Sequence, residues 1–199
     1  MEELNEEYHV RSASAIFLFR EVQLFHMKYS RVFVTVGTTK FDELIISLDS
    51  YHFVDSLVAL NCTVLAVQIG KGDFPVNLPS LCVSAGIQYD CYRFKSDLLE
   101  EMKNSQLIIS HCGAGSILEA MDLRKSLIVV VNSTLQGDHQ RELSDALASD
   151  NYCLTTSPSL LLGCLSSVAS GEINLETLLK IFPEVDLDLF PIVINDLFN

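Results

Sequence analysis

The stretch Gln106-Leu107-Ile108-Ile109-Ser110-His111-Cys112-Gly113-Ala114-Gly115-Ser116-Ile117-Leu118-Glu119 decides the fold. An apolar run ends in a small polar residue, a histidine and two glycines, and a helix-forming pattern then begins. The spacing predicts a strand over 107–110, a tight turn, and a helix over 115–123. The bare amides of such a turn and the positive end of the helix dipole suit an anion such as a diphosphate. Glu119 falls one helical turn deeper, within reach of a neighbouring hydroxyl.

Outward from this stretch the same alternation repeats. Arg31-Val32-Phe33-Val34-Thr35-Val36 reads as a buried strand ending at Gly37, and 41–60 follows with helical spacing. Further strands are expected over 63–69, 87–94, 127–131 and 152–155. Helices are expected over 96–104, capped by Ser96 with Leu98, Leu99 and Met102 inward, over 138–149, and from Pro158 onward. Residues 73–80 read as a Pro- and Ser-containing loop. Nearly all-apolar strands alternating with helices define an α/β, doubly wound, mostly parallel Rossmann-like sheet. Such sheets bind ligands at the carboxyl ends of their strands, where Gly37, Gly70, Ser110-His111 and Asn132 fall.

The chain has 199 residues, enough for one sizeable core. Residues 31–171 form the expected domain, 1–30 an N-terminal extension, and 172–199 a tail packing on the domain or on a partner. The net charge is -13 and the pI about 4.6, which excludes a nucleic-acid binder and disfavours direct binding to anionic membrane. An anion site must then rely on backbone amides. The apolar run over 15–19 is too short for a signal-peptide core, and no segment approaches the roughly 18 apolar residues of a membrane span. Six cysteines show no metal-ligand spacing and read as buried, reduced thiols of a cytoplasmic protein.

Gly113-Ala114-Gly115 lacks the third small residue of the dinucleotide fingerprint, since Leu118 holds that position, and no Gly-Lys-Ser/Thr marks a Walker loop. A structural turn without ligand is the bland alternative. Asp138-His139-Gln140-Arg141-Glu142 opens the next helix. It is either an ordinary polar helix start or a wall for a sugar beside Gly113 to Ser116.

These residues resemble a known family. The opening Val34-Thr35-Val36-Gly37-Thr38-Thr39 with Phe41-Asp42-Glu43-Leu44-Ile45 is followed in order by Gln68-Ile69-Gly70-Lys71-Gly72, Tyr92-Arg93-Phe94-Lys95, the stretch 109–119 and His139-Gln140-Arg141-Glu142-Leu143. Together they resemble the soluble catalytic subunits of dolichyl-diphosphate UDP-N-acetylglucosamine transferases and, more distantly, the bacterial transferase that completes the peptidoglycan lipid precursor. The resemblance implies the C-terminal, UDP-GlcNAc-binding half of a GT-B fold. It implies inverting β-1,4 transfer of GlcNAc to GlcNAc-diphosphodolichol, the second step of lipid-linked oligosaccharide synthesis for protein N-glycosylation. A membrane-anchored partner subunit would supply the other half and recruit this chain to the cytosolic face of the endoplasmic reticulum. The lipid-linked acceptor would be reached through that partner, and neither cofactor nor metal is expected.

By position, Gly113, Ala114, Gly115 and Ser116 would meet the diphosphate or the nucleoside beside it, and Glu119 the ribose hydroxyls. His139, Gln140 and Glu142 would lie towards GlcNAc. Gly37, Thr38 and Thr39 would border the cleft, with Asn132 at a neighbouring strand end. His111 is the candidate catalytic residue, positioning the diphosphate rather than acting as base. Two departures stand out: Arg124-Lys125-Ser126 replaces the family's usual Gly-Lys-Pro, and Asp138 replaces an asparagine before His139. They leave room for a non-catalytic paralogue that binds nucleotide sugar or the membrane subunit without turnover. A stand-alone nucleotide-sugar hydrolase is a third reading.

Overall fold

The computed structural model describes residues 29–132 and 153–179. The expected helix over 138–149, and with it Asp138, His139, Gln140 and Glu142, lies outside the described residues, as do nearly all of the extension and the tail beyond 179.

The elements run β1 (Arg31–Thr35), α1 (Asp42–Leu48), α2 (Tyr51–Ala59), β2 (Val64–Gln68), α3 (Leu78–Ser84), β3 (Gln88–Tyr92), α4 (Leu99–Asn104), β4 (Leu107–His111), α5 (Ala114–Asp122), β5 (Ser126–Val130), β6 (Leu154–Thr156), α6 (Leu161–Ala169) and α7 (Leu175–Leu179). The sheet order is β3-β2-β1-β4-β5-β6, and every adjacent pair is parallel. The order runs outward in one direction from β1 and in the other from β4, so the crevice between these two strands is the switch point of a doubly wound sheet. Register sets Thr35 beside Ser110 there.

Strand side chains alternate between two apolar layers. Val32, Val34, Leu65, Val67, Leu107 and Ile109 pack with Phe53 and Leu57 of α2 and Leu161 and Leu165 of α6. Phe33, Ala66, Ile108, Leu127 and Val129 pack on the other side with Met102 of α4 and Ile117, Ala120 and Met121 of α5. Both faces are covered, which is why the strands read as continuous apolar runs.

Several boundaries differ from the sequence reading. The single helix expected over 41–60 is two, divided at Asp49-Ser50, with the Ser50 side chain accepting from the Phe53 amide as N-cap. Residues 78–80 are not loop but the first turn of α3. Its cap is remote: the Asp49 carboxylate accepts from the amides of Val76, Asn77 and Leu78 at 3.0, 2.7 and 2.6 Å. Ser96 does not cap α4; the helix starts at Leu99, and Asp97 Oδ1 takes the Glu100 amide. Leu99 is exposed, while Met102 is buried and Leu98 packs partly buried on the same cluster. The helix after Pro158 begins at Leu161. All six cysteines are free. Burial pushes Cys62 and Cys164 up to about 11 and Cys153 up to about 12, so these thiols are inert.

Candidate active site

Of the eight buried polar or charged side chains among the described residues, five (Thr35, Gln68, Ser110, His111 and Asn132) sit at or just beyond the carboxyl ends of β1, β2, β4 and β5. Buried polar groups must find partners. Thr35 Oγ1 donates to Gln68 Oε1 at 2.6 Å and accepts from the Gly37 amide at 3.0 Å. This relay aims the turn after β1.

His111 is the wedge of the crevice. A Cβ built on Gly37 would lie 2.6 Å from His111 Cε1, and one on Gly113 would lie 2.4 Å from its Nε2. The ring therefore fills the space that two missing side chains leave, and it joins the β1 turn to the β4 turn. It is 6% exposed, and its Nδ1 has no hydrogen-bond partner. Burial holds the imidazole below its usual range, with the Thr35 main chain pulling the other way. A ring held neutral suits orienting a ligand more than neutralising one.

Beyond Gly113 the backbone opens into α5. Gly113 takes the N-cap position with extended torsions and no side-chain cap, and its own amide is spent on the His111 carbonyl at 2.7 Å. The first intrahelical bond is Ile117 N–H to Gly113 O at 3.1 Å. The amides of Ala114, Gly115 and Ser116 thus lead the helix with the positive end of its dipole behind them. A Cβ on Gly115 would meet nothing within 4 Å, so the glycine keeps space open rather than relieving a clash. Glu119 is exposed one turn on, on the same side of α5 as Gly115.

The loops after β1 and β2 interlock beside this turn. Gly37 and Gly70 both adopt positive φ, 61° and 55°. A Cβ on Gly70 would strike Thr39 O at 2.3 Å. The Lys71 amide donates to Thr39 O at 3.0 Å, while Thr39 Oγ1 folds back onto Val36 O at 2.8 Å, leaving Thr38 exposed. Arg93, after β3, closes the set by donating to Gly72 O at 2.6 Å and Gly70 O at 3.3 Å.

The structure thus gathers Gly37, Thr38, Thr39, His111, Gly113, Ala114, Gly115 and Ser116 around the β1/β4 crevice, with Glu119 on the wall of α5. Asn132 lies buried past the end of β5, on the far side of β4. His139, Gln140 and Glu142 lie outside the described residues. Sequence reasoning missed Thr35, Gln68 and Arg93 as supports of the site. The signal was present: a glutamine closes an otherwise apolar strand, which is costly unless the amide is bound.

The Arg124-Lys125-Ser126 departure falls at the other end of the sheet. Arg124 ends α5 with φ 52°, its amide on Met121 O and that of Lys125 on Ala120 O. This is a Schellman turn, in which the left-handed position favours glycine. Its effect bears on the helix end, remote from the crevice.

The glycosyltransferase family 28 C-terminal domain model matches residues 31–172, and the chain belongs to that family. Among individual proteins it is similar to UDP-N-acetylglucosamine transferase subunit ALG13. The identity to the mouse protein is 39% over 122 residues, covering 61% of this chain and 10% of the relative. The identity to the Cryptococcus neoformans protein is 30% over 202 residues, covering 83% of this chain and 95% of the relative. The chain thus spans about a tenth of the mouse relative and nearly all of the fungal one. An NMR structure of ALG13 superposes with a TM-score of 0.56 at 21% identity, covering 74% of this chain and 89% of that one. Acinetobacter baumannii MurG gives 0.56 at 16%, covering 77% and 44%. These establish a Rossmann-like half of a GT-B fold.

Proposed function

We propose that this chain binds UDP-GlcNAc and, with a membrane-anchored partner subunit, transfers GlcNAc to a GlcNAc-diphosphate lipid. The observation that carries the reading is the uncapped start of α5 at the switch point, wedged open by His111. Uncommitted amides and a helix dipole there suit the two phosphates of a nucleotide sugar. They would stabilise the departing UDP, and Glu119 would take the ribose hydroxyls. Transfer is inverting and gives a β-1,4 link. The acceptor is GlcNAc-diphosphodolichol, and the complex acts on the cytosolic face of the endoplasmic reticulum. UDP-GlcNAc is the donor substrate, and the reading assigns no metal or cofactor. His111 positions the diphosphate, while the acceptor's proton goes to a base within hydrogen-bond reach. A partner is in keeping with a described structure in which no helix is long and apolar enough to cross a membrane.

The test is reconstitution. Chain, membrane subunit, UDP-GlcNAc and a short-chain lipid acceptor are combined, and disaccharide formation is followed. Product only when both subunits are present is expected. A stable complex that binds donor but forms no product would reject transfer in favour of the non-catalytic paralogue, and UDP release by the chain alone would favour a hydrolase.

A further inference from the structure

The Tyr92-Arg93-Phe94-Lys95 segment makes none of the contacts expected for a donor, yet Arg93 reaches across to the loop after the neighbouring strand β2. Its Nη1 donates to Gly72 O at 2.6 Å and Gly70 O at 3.3 Å, and its guanidinium lies 5.1 Å from the centre of the Phe74 ring. Both ends of the short Gly70-Lys71-Gly72 turn are thus held by one planar group. That turn is in direct register with the loop after β1: the Lys71 amide donates to Thr39 O at 3.0 Å, and Gly70 is packed so closely that a Cβ there would lie 2.3 Å from Thr39 O and 2.9 Å from Gly37 O.

We infer that Arg93 is a positioning residue for the Gly37-Thr38-Thr39 loop, acting through the Gly70–Gly72 turn. The inference rests on the transferase reading only for its consequence in turnover; the mechanical coupling stands on the contacts alone. The two N–H groups of Nη1 lie in the rigid guanidinium plane, one for each carbonyl, whereas a lysine ammonium turns freely on a flexible stem and holds such a pair less firmly. Charged hydrogen bonds to main-chain oxygen are stronger than neutral ones, so a single side chain can hold both ends of the turn. Donor contacts made by α5 do not pass through Arg93. Loosening the clip therefore disturbs the cleft border while leaving the start of α5 in place.

Arg93→Ala and Arg93→Lys test this. Amide hydrogen exchange is measured on the full chain, and steady-state transfer on its complex with the membrane subunit. In Arg93→Ala the Lys71 amide is expected to exchange about tenfold faster, with Ile108 and Ile109 within about twofold of wild type. The kcat is expected to fall about tenfold with the donor KM within about threefold, a split that general loosening does not give. Arg93→Lys should fall between. If Arg93→Ala loses protection throughout, Arg93→Lys alone decides, by the same local exchange at Lys71. Unchanged exchange at Lys71, or kcat and donor affinity falling together, would overturn the inference. Absence of transfer by the wild-type complex would sink the transferase reading instead and leave the exchange result to decide the coupling.

Discussion

The His111 imidazole occupies the space where Gly37 would carry a side chain, with Cε1 2.6 Å from that Cβ position. Gly37 also needs φ 61°. Gly37→Ala thus meets two penalties, left-handed strain of about 1–2 kcal/mol and a ring that must move. We expect a lower melting temperature and a loss of UDP-GlcNAc affinity of about tenfold or more, measured by calorimetric titration of the purified chain. Wild-type affinity with the ring displaced would show that the wedge is not needed.

Gly115→Ala separates ligand space from folding. Nothing lies within 4 Å of the added methyl group, and alanine favours helix by about 1 kcal/mol. The variant should melt no lower than wild type yet bind UDP-GlcNAc less well, because the methyl group enters the space in front of the leading amides. Full affinity in a stable variant would move the diphosphate elsewhere.

Glu119 is exposed and makes no side-chain hydrogen bond or ion pair with another described residue. Glu119→Ala should change stability by less than about 0.5 kcal/mol. If Glu119 takes the ribose hydroxyls as proposed, the variant should bind UDP-GlcNAc about tenfold more weakly or worse, as bonds to a charged group are worth about 1.5–3 kcal/mol. Equal binding by both proteins would remove the ribose assignment.

Arg124 adopts the left-handed torsion at the end of α5, where Gly86 and Gly171 end α3 and α6 and Asn61 ends α2. Arg124→Gly should raise stability by about 1 kcal/mol in a urea melt, with donor affinity unaltered because the turn lies at the opposite end of the sheet. A destabilised variant would mean that contacts of the arginine outweigh its strain.

Glu101 is 3% exposed and holds Arg31 and Lys95, the latter at 2.6 Å. Burial pushes its carboxyl up, but hydrogen bonds from Lys95 and Arg31 more than reverse this and hold it below its usual range. A depressed carboxylate contributes stability that is fully present above the unfolded pKa, about 4.3, and lost as pH falls towards the folded value. Chemical denaturation should therefore show a stability drop below about pH 4.3 that is smaller in Glu101→Gln. At neutral pH that variant should be less stable, since two cations lose a buried partner. Parallel pH curves would exclude Glu101 as a source of the acid sensitivity.

The sheet and its crevice were legible because each rests on local signals. The apolar runs of β1, β2, β4 and β5 and the glycines after them needed no knowledge of neighbours. What escaped was held by distant partners. Helix α3 has no cap of its own and borrows Asp49, twenty-eight residues before Asn77. The support from Arg93 to Gly72 spans twenty-one positions. Ser96 looked like a cap, but Asp97 takes that role one residue later. The break at Ser50 was the exception, a local cap inside a stretch whose apolar spacing read as unbroken. The sugar wall expected at 139–142, from its polar helix start and from the resemblance, lies outside the described residues.

Strands β1 and β4 are fastened unequally along their length. At the amino ends, Gln106 Oε1 takes both Ser30 Oγ and the Arg31 amide, and Arg31 reaches Glu101. At the carboxyl ends, past the last ladder pair, the join is a ring lodged between two glycines. The pair is bound like a book at its spine, with the pages free where the anion would enter. A ligand bound at that open end would return its binding energy as fold stability, about 2.7 kcal/mol at a hundredfold excess over its dissociation constant. Cells rich in the donor would then hold a sturdier subunit than cells starved of it.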